Sequence, residues 1–310
     1  MGMTDTLSYL LSLLQHSRLL ILKGGPGTGK SYWARRLGLE AAALHNQQRP
    51  FADLTPIEQD FLCDSLNGPV RSYNLYAGLD YGLFVEGYRS EMVQGQATQV
   101  LRSGIFKRIA QEARAHPNLG YFLILEDFQS VDPRALFGEV WGSLVTASTD
   151  SGVALALSQE RFVMPANLYL IATVAEGRGP WQPDPDLFRR FLCLQLTPDE
   201  ALLAGVEIAG LSLQAYLHQL NQGLQALNLP RLGPGFFFEQ GQSVQTPEAL
   251  AHLIWLRLLP LLLSQLSLEQ AEKLLGSELL ALWQNPGSGA LAWPGVDAVL
   301  GAVAVNGDGV

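Results

Sequence analysis

The segment Gly24-Gly25-Pro26-Gly27-Thr28-Gly29-Lys30-Ser31 constrains this chain more than any other stretch. It has the spacing G-x-x-x-x-G-K-[ST], in which glycines let successive backbone N–H groups curl around phosphate oxygens where a Cβ would clash. Leu19-Leu20-Ile21-Leu22 precedes it as a compact β run. Lys30–Leu44, rich in Ala, Leu and Arg, follows it as a helix pattern. Strand, glycine loop and helix in that order open a parallel α/β unit. The helix aims its N-terminal dipole at the anion that the loop holds. In such a loop Gly24, Gly25, Pro26, Gly27, Thr28 and Gly29 wrap the phosphates. Lys30 brings a mobile charge to the β- and γ-phosphates, and Ser31 ligates Mg²⁺.

A nucleotide site of this kind needs carboxylates at the end of another buried strand. Tyr121–Leu125 (YFLIL) is a continuous apolar run suited to a central parallel strand, and Glu126-Asp127 follow it directly. Glu126 is expected to support the metal and Asp127 to orient the attacking water. The usual order is Asp then Glu, so the acid that positions water is here one methylene shorter.

The remaining chain reads as alternating elements. A short helix is expected at Leu7–Gln15, another around Pro56–Cys63 with a strand after it, and helices at Gln99–His116 and Pro133–Ala147, the last with Asp132 as N-cap. Val153–Val163 reads as a hairpin and Asn167–Thr173 as a further central strand. From Asp199 to Trp283 the pattern is helical and Leu-rich. The expected organisation is a parallel α/β nucleotide domain over 1–198, an α-helical lid over 199–284, and a loosely ordered Gly-rich tail over 285–310. With only about eighteen residues before the first strand, recognition of any target is expected to fall to another protein.

Composition narrows the class. Of 310 residues, 48% are hydrophobic and 16% charged, which excludes a disordered chain. The richest apolar stretch, Leu253–Leu263, is broken by Arg257 and Pro260 and is too short to span a membrane. A net charge of −9 argues against binding nucleic acid through bulk charge. Cys63 and Cys193 sit in apolar contexts and are expected to be buried, reduced thiols of a cytoplasmic protein. His45, His116, His218 and His252 show no metal-ligand spacing.

Further landmarks are Tyr81-Gly82-Leu83-Phe84-Val85-Glu86-Gly87-Tyr88-Arg89, Gly104-Ile105-Phe106, Phe137-Gly138-Glu139, Phe162-Val163-Met164-Pro165-Ala166-Asn167, Phe188-Arg189-Arg190-Phe191, Leu232-Gly233-Pro234-Gly235-Phe236-Phe237 and Trp255–Leu262. Together they resemble the McrB-type AAA+ NTPases, motors of modification-dependent restriction systems within the dynein-related AAA group. They run in order from about Leu19 to Leu275.

The resemblance implies a P-loop AAA+ module that forms a ring, most simply a homo-hexamer, and hydrolyses ATP or GTP with Mg²⁺. Arg189 and Arg190 would reach a neighbour's γ-phosphate. A McrC-like nuclease would be the partner, with DNA met indirectly or in the ring pore. Thr173 keeps a hydroxyl near the water site, but Ala175 stands where the family has Asn, and two arginines stand where three are usual. A slow or inactive nucleotide-gated assembly switch, or a MoxR-like remodelling chaperone, are the alternatives. Glu86 and Arg89 either serve the site or fix a loop by a salt bridge. Trp293 and the tail are either disordered or laid on a neighbouring subunit.

Overall fold

A computed structural model describes residues 3–93, 96–144, 152–177, 183–239, 241–285 and 293–307. The chain divides into two compact units, Met1–Lys23 with Lys30–Gln195, and Gly24–Gly29 with Leu196–Val310.

In the first unit α1 (Met3–His16) leads into β1 (Leu19–Gly24), whose Leu-Leu-Ile-Leu run is wholly buried. After the glycine loop comes α2 (Lys30–Gln47). Helix α3 (Pro56–Cys63) starts where Thr55 and Glu58 form a reciprocal capping box with Pro in the first turn. There follow β2 (Val70–Asn74), α4 (Tyr81–Phe84), β3 (Glu86–Val93), β4 (Gln96–Ser103), α5 (Ile105–Ala115) and β5 (Tyr121–Glu126). Then come α6 (Pro133–Phe137), β6 (Val153–Ala154), β7 (Arg161–Phe162), β8 (Leu168–Ala175), α7 (Pro185–Arg190) and β9 (Leu192–Leu196).

Five strands form one parallel sheet in the order β2-β5-β8-β1-β9. Val70 pairs with Phe122, and Tyr121 with Leu168. Strands buried on both faces need no polar alternation, and YFLIL has none. Because β8 lies between β1 and β5, its carboxyl end falls between the strand that feeds the glycine loop and the strand that ends in Glu126.

Two expectations are corrected in this unit. Residues 99–103 are not helical. They belong to β4, which pairs antiparallel with β3 from Glu86↔Ser103 to Val93↔Gln96. An Arg102–Glu91 ion pair ties the strands, and Gly104, extended, caps α5 only at Ile105. The helix expected over Pro133–Ala147 ends at Phe137, because Gly138 takes φ 55°. The chain goes on as a 3₁₀ turn to Ser143; residues 145–147 lie outside the described ones.

The second unit is mostly helical. Two small hairpins, β10 (Glu207–Ile208) with β11 (Leu211–Ser212) and β12 (Phe238–Glu239) with β13 (Gln242–Ser243), flank α8 (Leu213–Ala226). Helices α9 (Pro247–Leu253) and α10 (Leu259–Leu263) are joined by a π-turn at Ile254–Leu258. Pro260 has no N–H to donate and its ring crowds the carbonyl four residues back, so the helix widens there. Helices α11 (Leu268–Leu275), α12 (Ser277–Gln284) and α13 (Val296–Gly307) complete the unit.

The expectation of a loose tail fails over 296–307. Val299, Ala302 and Val303 of α13 are buried in the helical core, and Trp293 packs on His252 and Trp255 of the same unit. Apolar residues at helical spacing outweigh the nearby glycines; residues 286–292 and 308–310 lie outside the described ones. Among the described residues no helix is long and apolar enough to cross a membrane.

Candidate functional site

The glycine loop closes on itself through Thr28, whose backbone N–H and hydroxyl both donate to the Gly25 carbonyl, at 3.4 and 2.8 Å. Gly27 takes φ 73°, a left-handed conformation that costs other residues energy. The loop's carbonyls are engaged from behind. Gly233 N–H donates to Pro26 O at 2.8 Å, and Gly235 N–H to Gly27 O at 2.9 Å. A Cβ on Gly233 would lie 2.2 Å from the Gly27 carbonyl, so only glycine permits this approach.

Helix α2 starts at Lys30, and the next residue makes the link that organises the site. The Ser31 hydroxyl donates to Oε2 of Glu126, at the end of β5. Hydroxyl and carboxylate oxygens are the hard donors that suit Mg²⁺. Among the described residues no group of three or more His, Cys, Asp or Glu side chains could hold a metal. Mg²⁺ commonly takes only one or two protein oxygens and fills its shell with phosphate oxygens and water.

Asp127 leaves β5 in a left-handed conformation, φ 55° and ψ 44°. Its backbone N–H donates to Oγ1 of the buried Thr173 at 3.3 Å, which joins the carboxyl ends of β5 and β8. Gln129 Nε2 donates to Asp127 Oδ1 at 2.8 Å, and Ala175 N–H donates to Gln129 Oε1 at 3.1 Å. Ser31, Glu126, Asp127 and Thr173 are thus brought together, and Gln129 joins them. Sequence reasoning missed Gln129; its only local signal is a polar residue two places beyond the acidic pair, beside a buried Phe128.

The two arginines separate. Arg190 is half-buried on α7; Nε and Nη2 donate to Asp186 at 3.2 and 3.1 Å, and its guanidinium stacks 5.1 Å from the Trp141 ring centroid. Asp186 also accepts from Trp141 Nε1 and from Arg134, at 2.9 and 3.2 Å. The Trp141 hydrogen bond, then Arg190 and Arg134, hold its carboxyl below the usual range. Arg189 is exposed, next to the half-exposed Phe188.

Glu86 does not pair with Arg89. Its fully buried carboxylate accepts from Lys107 Nζ at 2.7 Å and from the N–H groups of Leu157 and Ser158 at 3.1 and 2.9 Å. Glu139 accepts from the Tyr81 hydroxyl and from Ala156 N–H, at 2.7 and 2.6 Å. These two acids clamp the turn between β6 and β7, a structural task, so the loop-fixing alternative holds for Glu86 with Lys107 as its partner.

No protein-family model matches the chain. Among curated proteins, it is similar to the Type IV methyl-directed restriction enzyme EcoKMcrB subunit of Escherichia coli (strain K12). The two are 25% identical over 199 residues, 62% of this chain. The match spans 38% of that protein's length, well under half.

Proposed function

We propose that this chain is a nucleoside triphosphatase of the McrB type, working as the motor of a restriction system. The observation that carries the reading is the Ser31–Glu126 contact, with Asp127 and Thr173 beside it, one residue after Lys30. Similarity to the EcoKMcrB subunit supports it from a separate direction. Gly24–Gly29 bind the phosphates and Lys30 contacts the β- and γ-phosphates of ATP or GTP. Ser31 and Glu126 would hold Mg²⁺, which when bound would supply positive charge beside the phosphate oxygens. Asp127 accepts a hydrogen bond from the attacking water. The water oxygen bonds to the γ-phosphorus, the bond to the nucleoside diphosphate breaks, and the water proton passes to the carboxylate or the released phosphate.

Arg189, exposed on α7, is the arginine that acts on a neighbouring copy's nucleotide, and Arg190, held by Asp186 and Trp141, fixes the helix that presents it. Such trans action requires a ring, for which a homo-hexamer is the simplest form. A McrC-like nuclease is the partner, and DNA is met through that complex. A second reading, a nucleotide-gated assembly switch with little turnover, is favoured by the shorter acid at Asp127 and by the missing side-chain amide at Ala175.

The test is phosphate release from ATP and from GTP, with assembly mass measured on the same samples with each nucleotide and with neither. Turnover that Lys30→Ala abolishes is expected. Nucleotide-dependent assembly without phosphate release, with or without the partner, would overturn the motor and leave the switch.

A further inference from the structure

The turn after the acidic pair carries a side chain with no role in the chemistry above. Phe128 is fully buried and packs on Phe191, ring centroids 5.7 Å apart. With Asp127 left-handed, this anchor turns Gln129 back across the carboxyl ends of β5 and β8. Gln129 Nε2 donates to Asp127 Oδ1 at 2.8 Å, and its Oε1 accepts from Ala175 N–H at 3.1 Å. The two ends of this carboxamide are not exchangeable. Reversal would set its oxygen against a carboxylate and its NH₂ against an N–H. The Ala175 N–H therefore directs the amide, and the amide holds Oδ1 of the Asp127 carboxylate.

We propose that Gln129 is a positioning residue for triphosphate hydrolysis, orienting Asp127 toward the attacking water. This rests on the reading of Asp127 as the acid that receives that water. A short carboxylate turns freely about its side-chain bonds unless a donor holds it, and in-line attack tolerates little misplacement. Ala175 offers only its backbone N–H on that side of the sheet, and Gln129 converts this into a side-chain donor aimed at Asp127.

Two variants separate positioning from stapling of the strand ends. Gln129→Leu removes both contacts. Gln129→Glu keeps an oxygen for the Ala175 N–H but sets a like charge against Asp127. Full-chain protein is assayed for kcat by phosphate release, for Kd with a non-hydrolysable triphosphate analogue, and for thermal midpoint. Both variants are expected to lower kcat about tenfold to a hundredfold, with Kd and midpoint unchanged. Parental turnover in Gln129→Glu would overturn the proposal, as would parallel loss of turnover, binding and midpoint in both variants. A parent chain that binds nucleotide but releases no phosphate overturns the hydrolysis reading itself. An active parent insensitive to Gln129→Glu overturns the role of Gln129 alone.

Discussion

At Glu86 the first unit is exposed to a single substitution. Glu86→Ala removes the partner of Lys107 at 2.7 Å and the acceptor of two backbone N–H groups, at Leu157 and Ser158. Deleting one member of a buried ion pair costs about 3–5 kcal/mol. Lys107 would retain Glu160 at 2.6 Å, a residue 60% exposed, so the low end of that range applies. Each of the two N–H groups left without an acceptor adds about 1 kcal/mol, which brings the total to about 5 kcal/mol. Glu86→Gln keeps an oxygen for both N–H groups but sets an NH₂ against Lys107 Nζ where Oε2 accepted, so it loses the ion pair alone, a cost of about 3 kcal/mol.

The pH dependence has a definite sign. Burial alone would raise the Glu86 carboxyl, but Lys107 and the Ser158 N–H outweigh it and hold it below the ordinary 4.5. Its contribution is present above that value and is lost as pH falls through the folded-state value. Burial would lower Lys107, but Glu160 and Glu86 raise it above its ordinary 10.5. Its contribution is present below 10.5 and is lost as pH rises through the folded-state value. The stability gap between parent and Glu86→Gln should therefore stay level through neutral pH and shrink below 4.5. Urea unfolding followed by circular dichroism measures the gap, and hydrogen exchange at the Leu157 and Ser158 amides reads the same contacts locally. A Glu86→Ala protein within about 1 kcal/mol of the parent at pH 7, with both amides still protected, would refute the reasoning.

Arg189→Ala should leave the melting temperature unchanged and cut phosphate release in the assembled protein about 10³-fold or more, whereas Arg190→Ala should cost about 1–2 kcal/mol on melting. Asn221 is buried, accepts from Leu232 N–H at 2.7 Å and donates to Leu232 O and Glu200 at 2.9 and 2.8 Å. Asn221→Leu should destabilise the helical unit by about 2–4 kcal/mol in urea titration. Gly233→Ala must displace its segment from the loop and should cost about 2 kcal/mol or more while weakening nucleotide binding by calorimetry. Gly301 faces open space on α13, so Gly301→Ala should instead raise the midpoint by about 0.5–1 kcal/mol equivalent.

Much of the fold could be read from local pattern. β1, β5 and β8 are short apolar runs, and α3 carries a clear start, so composition and capping agree there. The hairpin of β3 and β4 was hidden because β4 has no buried residue and no regular apolar alternation. Its identity comes from pairing across the turn, which no local window contains. Helix α6 is cut short by the backbone conformation of one glycine, and α13 is secured by a core assembled from residues far away in sequence. At the candidate site, motif spacing pointed to Ser31 and Glu126. Arg189 and Arg190 are indistinguishable in sequence and differ only through Asp186 and Trp141. Gln129 acquires its partners from the left-handed turn at Asp127, a conformation that residue type alone does not announce.

The sheet order has a consequence for biosynthesis. β1 ends at Gly24, yet its two neighbours, β8 and β9, begin at Leu168 and Leu192. At translation rates of roughly 5–20 residues per second, this strand waits on the order of ten seconds after leaving the ribosome before either neighbour is made. Throughout that interval Leu19–Leu22 is an unpaired apolar segment, with only the flanking charges of Arg18 and Lys23 to keep it from other chains. Yield of native protein should then depend on chaperone occupancy of the nascent chain and on crowding of polysomes, and fusing a soluble carrier ahead of α1 would act during that wait rather than on the finished fold.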